Sequence, residues 1–296
     1  MGDNMDIDKK SIIEDEEKKV RVPVLLPIRC VVFVLVFVAG AAILGKELQD
    51  ISNWWSVVAT VVNLLVMVLL IGIAKKDGKT YLEMINYRKG ASKAKDIVIM
   101  SLVAIFVGMG CMYLAGFLLY GSFMPRVSLT MIAPIPKVLA VINVLLLPIT
   151  TALAEDGLYL GYGVNRLSDH IDDHDGTHGS DHDVDQSNDR GIDQDNDLVR
   201  DISQNRSWRR LAAIILPAFF YALQHCFIPT MFDVKYMAYR FLSFLPLTVI
   251  FCWNYEKKRN PVPIMVGHVI LDFATAMFIF ATSVFPGVYE ELSNMM

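Results

Sequence analysis

Charged residues and cysteines are scarce in this sequence. Charged residues make up 20% of its 296 positions, against about 25% in a soluble domain, which argues against an ordinary soluble protein. The four cysteines all lie in apolar segments and lack the spacing of metal ligands, so we expect buried thiols, without disulfides or a zinc site. They are Cys30, Cys111, Cys226 and Cys252. No internal repeat is visible.

Apolar residues, in contrast, are abundant and gathered in long runs. They form 54% of the chain, and each run is close to the length of about 20 residues that crosses a bilayer as a helix. We predict an all-α polytopic membrane bundle of about seven spans: Val24–Leu44, Trp54–Ala74, Ile97–Tyr120, Val138–Tyr162, Leu211–Pro229, Met237–Tyr255 and Val262–Ala281. A weaker apolar piece, Val127–Pro136, would make an eighth span if it crossed.

Lysine and arginine alternate between the connectors of these spans. They are concentrated in 75–96, 163–210 and 256–261 and sparse in the connectors between, which predicts a cytoplasmic N-terminus and an exported C-terminus. We expect a charged cytoplasmic segment at 1–23 and one membrane domain at 24–296, whose core motifs lie in 138–281. No small-residue cleavage site follows the first span, so we expect no cleaved signal peptide. The plasma membrane is the expected location.

The connector after the fourth span is rich in histidine and aspartate. Its four histidines are spaced by four residues and could line one helix face as metal ligands. They are His170, His174, His178 and His182. Twelve aspartates between Asp169 and Asp201 leave too little apolar surface for a packed structure. We therefore expect a disordered cytoplasmic loop at 164–208, with weak metal binding or regulation as the alternative.

Five ionisable side chains fall inside three predicted spans: Glu155, Asp156, His225, His268 and Asp272. Such residues usually face the interior of the protein or a water-filled cavity, and they mark function. His268 and Asp272 are four residues apart and should share a helix face. A lone histidine in a span is more often a hydrogen-bonding residue between helices than a catalyst. Five such residues, placed by helical rise in the cytoplasmic half of the membrane, predict one site.

A carboxylate beside imidazoles can act as a general base in the hydrolysis of a carbonyl compound. Glu155 would be that base, and imidazole together with Asp272 would stabilise the oxyanion. The alternative is a divalent metal held by His225, His268 and Glu155, which would itself activate water. A proton-coupled transporter would also place such residues at membrane depth, but it would more often show internal repeats.

The order of these residues resembles the CPBP family, the CAAX-protease and bacteriocin-processing intramembrane proteases. The first motif of that family, Glu-Glu-x-x-x-Arg, corresponds to Glu-Asp-Gly-Leu-Tyr-Leu at 155–160. The second motif, Phe-x-x-x-His, corresponds to Tyr221–His225, and the third, His-x-x-x-Asn/Asp, to His268–Asp272. The resemblance covers about residues 138–281.

The resemblance implies a glutamate-dependent protease in which Glu155 activates water, His225 helps to bind that water, and His268 with Asp272 binds the oxyanion. A supporting role falls to three residues of the same motifs, Asp156, Tyr159 and Tyr221. No cofactor is expected, although a metal mechanism has also been attached to the family. The expected substrate is a hydrophobic or lipidated peptide or protein, in contact with membrane lipid and without nucleic acid.

One departure from the family pattern bears on activity. Leu160 stands in place of the arginine of the first motif, which leaves Asp156 without its usual partner. Arg29 and Arg240, both near ends of predicted spans, are candidates to replace it. We predict an active hydrolase that cleaves a peptide bond near the cytoplasmic membrane face. The alternative is a catalytically inactive CPBP-like scaffold or immunity factor.

Overall fold

The computed structural model describes residues 24–168 and 192–296, and this part of the chain is built from helices and contains no β-strand. The prediction of an all-α fold is confirmed. The α-helices are α1 (Ile28–Leu44), α2 (Leu48–Ser52), α3 (Trp55–Lys76), α4 (Tyr81–Met84), α5 (Ala94–Tyr120), α6 (Lys137–Thr151), α7 (Ile192–Gln224), α8 (Val234–Lys258), α9 (Val262–Val284) and α10 (Val288–Met295). A 3₁₀ helix (Arg126–Ile132) precedes α6, and a π-helix (Ala152–Val164) continues it.

The long helices form a membrane bundle. Five helical segments are long and apolar enough to cross a bilayer: α3, α5, the continuous segment Lys137–Ser168, α8 and α9. Two shorter apolar helices, α1 and Arg210–Gln224 within α7, coincide with the first and fifth predicted spans. The outer surface exposes large apolar side chains such as Leu35, Val68 and Phe106, as contact with lipid requires. The chain is therefore an integral membrane protein.

The eighth span considered from the sequence is not present. Val127–Pro136 contains the 3₁₀ helix Arg126–Ile132, which at about 2 Å per residue is far shorter than the hydrocarbon core of about 30 Å. This helix packs at one end of the bundle against α9 and α10. Its Arg126 donates a hydrogen bond to Ser293 of α10 at 3.5 Å. The segment is a connector.

The predicted loop at 164–208 is too wide at both ends. The helix of span four continues to Ser168, six residues beyond the predicted end at Tyr162, and α7 begins at Ile192. The physical reason is that polar residues continue a helix once its backbone hydrogen bonds are already propagating. The charged segment 1–23 and the four histidines of the loop lie outside the described residues, so the predictions made for them stay predictions.

Helices α3, α7, α8 and α9 surround the π-helix. Helix α9 packs against α5 and α6, and α8 packs against α5 and α7. The π-helix contacts α3, α7, α8 and α9, and all of its residues except the partly exposed Leu153 are buried. The acidic pair predicted to be functional therefore lies at the centre of the bundle.

The short helix α4 braces the π-helix from the connector after α3. A capping box fixes its start, since the Thr80 hydroxyl accepts from the Glu83 backbone while the Glu83 carboxylate accepts from the Thr80 backbone. These hydrogen bonds hold the pKa of Glu83 below its usual range. The Tyr81 hydroxyl in turn donates to the Leu153 carbonyl at 2.5 Å.

Glycines allow this close approach. A Cβ atom built on Gly157 would lie 2.6 Å from the Tyr81 hydroxyl oxygen, and one on Gly161 would lie 2.5 Å from Ile85 Cγ2. Neither distance is sterically allowed, so only glycine permits the α4 region to pack here.

Candidate active site

The fourth span changes from α- to π-helix where the acidic pair lies. Pro148 lacks a backbone N–H and so removes a hydrogen bond of the preceding α-helix. The π-helix begins four residues later, at Ala152, and contains Glu155 and Asp156. Single-turn π-helical segments are frequent at functional sites. Here the π-helix extends over thirteen residues.

Glu155 has one carboxylate oxygen fixed and one free. Its Oε1 accepts a hydrogen bond from Arg29 Nη2 at 2.7 Å, in a fully buried ion pair. Its Oε2 is buried and has no hydrogen-bond partner among the described residues. The same Oε2 lies 3.9 Å from His225 Nε2 and 3.9 Å from His268 Nε2. Two imidazoles from different helices therefore face one unbonded carboxylate oxygen.

The orientation of His225 is set by its own backbone. Its Nδ1 lies 2.8 Å from the Tyr221 carbonyl oxygen, and because a carbonyl only accepts, Nδ1 carries the proton. The neutral ring therefore offers the Nε2 lone pair on the side of Glu155. The Phe244 ring stacks on the imidazole with centroids 3.7 Å apart and holds it in place.

His268 lies between two acidic groups. Its Nδ1 is 3.4 Å from Asp156 Oδ2 and 3.0 Å from the Tyr221 hydroxyl, which also donates to Asp156 Oδ1 at 2.8 Å. Its Nε2 is 3.5 Å from Asp272 Oδ2. The expected contact between His268 and Asp272 across one helical turn is thus present. Asp156, which lacks the arginine of the family motif, is instead bonded to Tyr221 and adjacent to His268.

Two polar neighbours of the site, Asn63 and Gln224, come from positions that sequence patterns did not single out. The fully buried Arg29 donates from Nε to Gln224 Oε1 at 2.5 Å and from Nη1 to Asn63 Oδ1 at 2.6 Å, besides its bond to Glu155. Tyr159 donates to the same Gln224 oxygen at 3.1 Å. The one signal in the sequence was a charged residue inside the first apolar run. Arg29 was considered as a partner of Asp156, but it binds Glu155 instead.

Arg240, the other candidate replacement for the motif arginine, contacts neither acid of the first motif through an ion pair. It binds backbone carbonyls next to His225. Leu160, at the motif position itself, is fully buried in the hydrophobic core.

A metal centre would need closer ligands. Zinc bonds of about 2.0 Å at the tetrahedral angle separate two ligand atoms by about 3.3 Å, whereas Glu155 Oε2 lies 3.9 Å from each histidine nitrogen. No group of three or more ligand side chains arranged for a metal occurs in the described ranges 24–168 and 192–296. The set Glu155, His225 and His268 therefore does not fit a zinc ion in this arrangement.

A cavity of about 250 Å³ contains the free side of the site. Its wall includes Glu155, His225 and Asp272. From there it extends past methionines of α5 and of the connector before α6, including Met112 and Met131. It thus reaches the end of the bundle opposite the basic connectors.

The site lies deeper than predicted. Glu155 is thirteen residues before the end of its span at Ser168 and eighteen after its start at Lys137. Asp272 is likewise close to the middle of Val262–Val284. Glu155 still lies in the half of its span that the prediction assigns to the cytoplasm, and it lies deeper because the fourth span extends six residues further than its apolar run. Its position relative to the membrane stays a prediction.

Residues 137–274 match the family model for Rce1-like type II CAAX prenyl endopeptidases. This segment contains the acidic pair, Tyr221, His225, His268 and Asp272, and so includes all three motifs. Neither the curated proteins nor the solved structures include a match to the chain. The family match confirms the resemblance carried by the motifs: the chain is an integral membrane protein in which residues 137–274 are similar to the Rce1-like type II CAAX prenyl endopeptidases.

Proposed function

We propose that the protein is an intramembrane endopeptidase in which Glu155 is the general base. One observation carries the proposal. Glu155 Oε2 has no hydrogen-bond partner in the described part of the chain and lies 3.9 Å from the nitrogens of two histidines, at the wall of a cavity. Polar atoms separated by more than about 3.5 Å are often bridged by water. A water molecule that forms hydrogen bonds to Glu155 and His225 would be positioned to attack the carbonyl carbon of the substrate.

The two acceptors would orient that water. One proton points to Glu155 Oε2 and the other to the free Nε2 of His225, so that a lone pair on the water oxygen faces the substrate carbonyl carbon. As the C–O bond forms, Glu155 takes the first proton. It then delivers this proton to the amine nitrogen when the C–N bond breaks. General-base catalysis of this kind contributes about 10²- to 10⁴-fold in rate.

The oxyanion would be stabilised on the opposite side by His268. Its Nδ1 side is anchored by Tyr221 and Asp156, which keeps Nε2 directed to the cavity side where Asp272 lies. Protonated, His268 donates its Nε2–H to the oxyanion, and the carboxyl group of Asp272 donates a second hydrogen bond when it carries a proton. Arg29 would fix the base, Gln224 accepts a hydrogen bond from Arg29, and Tyr159 donates one to Gln224.

The apolar cavity supports a hydrophobic or lipidated peptide or protein as substrate, with lipid around the bundle. The proposed mechanism uses no cofactor. Cleavage would occur in the cytoplasmic half of the membrane, because Glu155 is nearer the cytoplasmic end of its span than the other end. The cavity extends to the end of the bundle that carries α10, which the positive-inside rule assigns to the exported side. The proposal therefore keeps cleavage on the cytoplasmic side of a plasma-membrane protein and adds entry of the substrate from the opposite end of the bundle.

A catalytically inactive scaffold is the second candidate, and Leu160 in place of the motif arginine favours it. The experiment separates the two. Purified protein is incubated in detergent with hydrophobic and prenylated peptides, and products are identified by mass spectrometry for wild type, Glu155→Gln and His225→Ala, each with and without a chelator. Cleavage by wild type alone, unaffected by chelation, supports the proposal. If none of the three proteins cleaves any peptide, the result supports the inactive scaffold. If the chelator abolishes cleavage by wild type, the result supports a metal-dependent mechanism.

A further inference from the structure

The connector between α3 and α5 presents many basic side chains at one end of the bundle. Its residues 75–96 include seven lysines and arginines and three acids. All seven basic side chains are exposed: Lys75, Lys76, Lys79, Arg88, Lys89, Lys93 and Lys95. Two more exposed lysines, Lys257 and Lys258, end α8 at the same place, because Lys258 Nζ donates to Asp96 Oδ1 at 3.0 Å. These nine side chains are called the basic surface.

The acids of the connector do not neutralise the basic surface. Asp77 pairs with Arg166 and Asp96 with Lys258, while the Glu83 carboxylate takes part in the capping box of α4. Among the described residues, Lys258 is the one member of the basic surface that forms an ion pair. The other eight leave an excess of positive charge at this end of the bundle. Such an excess attracts an anionic partner.

Aromatic and apolar side chains accompany these charges next to the ends of the spans. Leu82 and Tyr87 of the same connector are exposed, and so is Trp253 of α8. Lys257, one helical turn after Trp253, places its Nζ 5.3 Å from the centroid of the indole ring. Tyrosine and tryptophan are enriched where hydrocarbon meets the headgroups. Clusters of about four to eight basic residues beside a span are typical of binding to anionic lipid.

The same connector contacts the π-helix. The Tyr81 hydroxyl donates to the Leu153 carbonyl at 2.5 Å, and Ile85 packs directly on Gly161. A partner that binds the basic surface would therefore hold the connector against the helix that carries the acidic pair. Because a ligand that binds only the folded state stabilises that state, the partner should also raise the stability of the bundle.

We propose that the basic surface binds the phosphate-containing headgroups of anionic phospholipids in the leaflet on its side of the membrane. The positive-inside rule assigns that side to the cytoplasm, where the leaflet carries a negative surface potential. Orientation during insertion requires the basic residues, but it does not require Leu82 and Tyr87 to be exposed beside them. A lipid headgroup layer suits both the charges and the apolar side chains. The inference does not depend on the catalytic role of Glu155.

The test measures binding of phosphatidylglycerol and of phosphatidylcholine to the purified full chain in detergent by native mass spectrometry. One variant combines four substitutions in the connector: Lys75→Gln, Lys89→Gln, Lys93→Gln and Lys95→Gln. The control variant changes four exposed basic residues at the opposite end of the bundle: Lys46→Gln, Arg126→Gln, Lys137→Gln and Lys235→Gln.

We expect wild type and the control variant to bind phosphatidylglycerol at least about tenfold more tightly than phosphatidylcholine, because each basic residue near an anionic surface contributes about fivefold in affinity. The connector variant should lose this preference, and a variant with arginine at the same four positions should keep it. In wild type the preference should weaken at about 0.5 M salt, which screens exposed charges.

The melting temperature in each lipid is the second readout. Phosphatidylglycerol should raise the melting temperature of wild type and of the control variant but not that of the connector variant. Equal affinity of wild type for the two lipids would overturn the inference. Persistence of the preference in the connector variant, or its loss in the control variant, would also overturn it.

Discussion

Arg29 Nη2 lies 2.7 Å from Glu155 Oε1, and this contact joins the first span to the fourth. Arg29 lies outside residues 137–274, the segment that matches the family model. Helix α1 therefore supplies a cation to the acidic pair Glu155 and Asp156. In the family motif the arginine follows this pair in the same helix, and here Leu160 stands in its place. The two arginines would not have the same role, because Arg29 binds the first acid, whereas Asp156 is satisfied by Tyr221.

Replacing Arg29 with methionine should lower both stability and activity. The variant leaves the buried Glu155 carboxylate without its cation, and breaking such a pair destabilises by about 3–5 kcal/mol. Displacement of the base should lower kcat about a hundredfold. Thermal unfolding in detergent and peptide cleavage provide the two readouts. Arg29→Lys should recover most of the stability, and Arg88→Met, at an exposed arginine, should change neither. Full activity of Arg29→Met would contradict a positioning role.

Tyr221→Phe restores the residue found in the family motif but should impair this protein. The hydroxyl donates to Asp156 and contacts Nδ1 of His268. Its loss leaves the buried Asp156 carboxylate without this hydrogen bond, which lowers the free energy of unfolding by about 1–3 kcal/mol. We expect kcat to fall about tenfold with KM unchanged, because His268 acts on the oxyanion and not on the bound peptide. Tyr87→Phe, at an exposed tyrosine, is the control. An unchanged kcat would show that Asp156 needs no partner here.

Gly161→Ala should destabilise the bundle at the π-helix. The new Cβ would lie 2.5 Å from Ile85 Cγ2 and 3.1 Å from Ile85 Cα, and such overpacking destabilises by about 1–3 kcal/mol. Gly72→Ala is the matched control, because its Cβ would meet nothing within 4 Å and alanine favours a helix by up to about 1 kcal/mol. We therefore expect Gly161→Ala to lower the melting temperature and Gly72→Ala to raise it. Equal shifts would mean that the α4 region does not pack tightly on the π-helix.

The orientation of the bundle can be tested by cysteine labelling in intact cells. Lys89 and Asn294 are exposed at opposite ends, and the distribution of basic residues assigns Lys89 to the cytoplasm. An impermeant maleimide should therefore label Asn294→Cys and spare Lys89→Cys until the cells are permeabilised. Wild type gives the background, since Cys30, Cys226 and Cys252 are buried. The reverse pattern would place the cavity mouth on the cytoplasmic side.

Hydropathy and short spacings predicted much of this protein. Runs of apolar residues located every long helix, because a segment in lipid must satisfy its backbone by helical hydrogen bonds. The four-residue spacing of His268 and Asp272 predicted their contact, since residues at that spacing share a helix face. The membrane fold is confirmed, as is the resemblance to the family over residues 137–274, and the catalytic roles stay predictions.

Contacts between distant spans could not be predicted in the same way. Arg29 and Glu155 are 126 positions apart, and nothing in either local pattern specifies the other. The end of the fourth span was misplaced because the π-helix passes into polar residues up to Ser168. Val127–Pro136 was ambiguous because a short apolar run suits a connector packed on the bundle as well as a span.

The most direct test of the central claim is the turnover of one cleaved peptide by Glu155→Gln. Glutamine keeps the size of the side chain and can still bond to Arg29, but it cannot take a proton from water. We expect kcat to fall about 10²- to 10⁴-fold, while binding of the peptide and the melting temperature stay near those of wild type. Glu47→Gln, at an exposed glutamate, should behave as wild type. Turnover by Glu155→Gln within about twofold of wild type would contradict the assignment of Glu155 as the base.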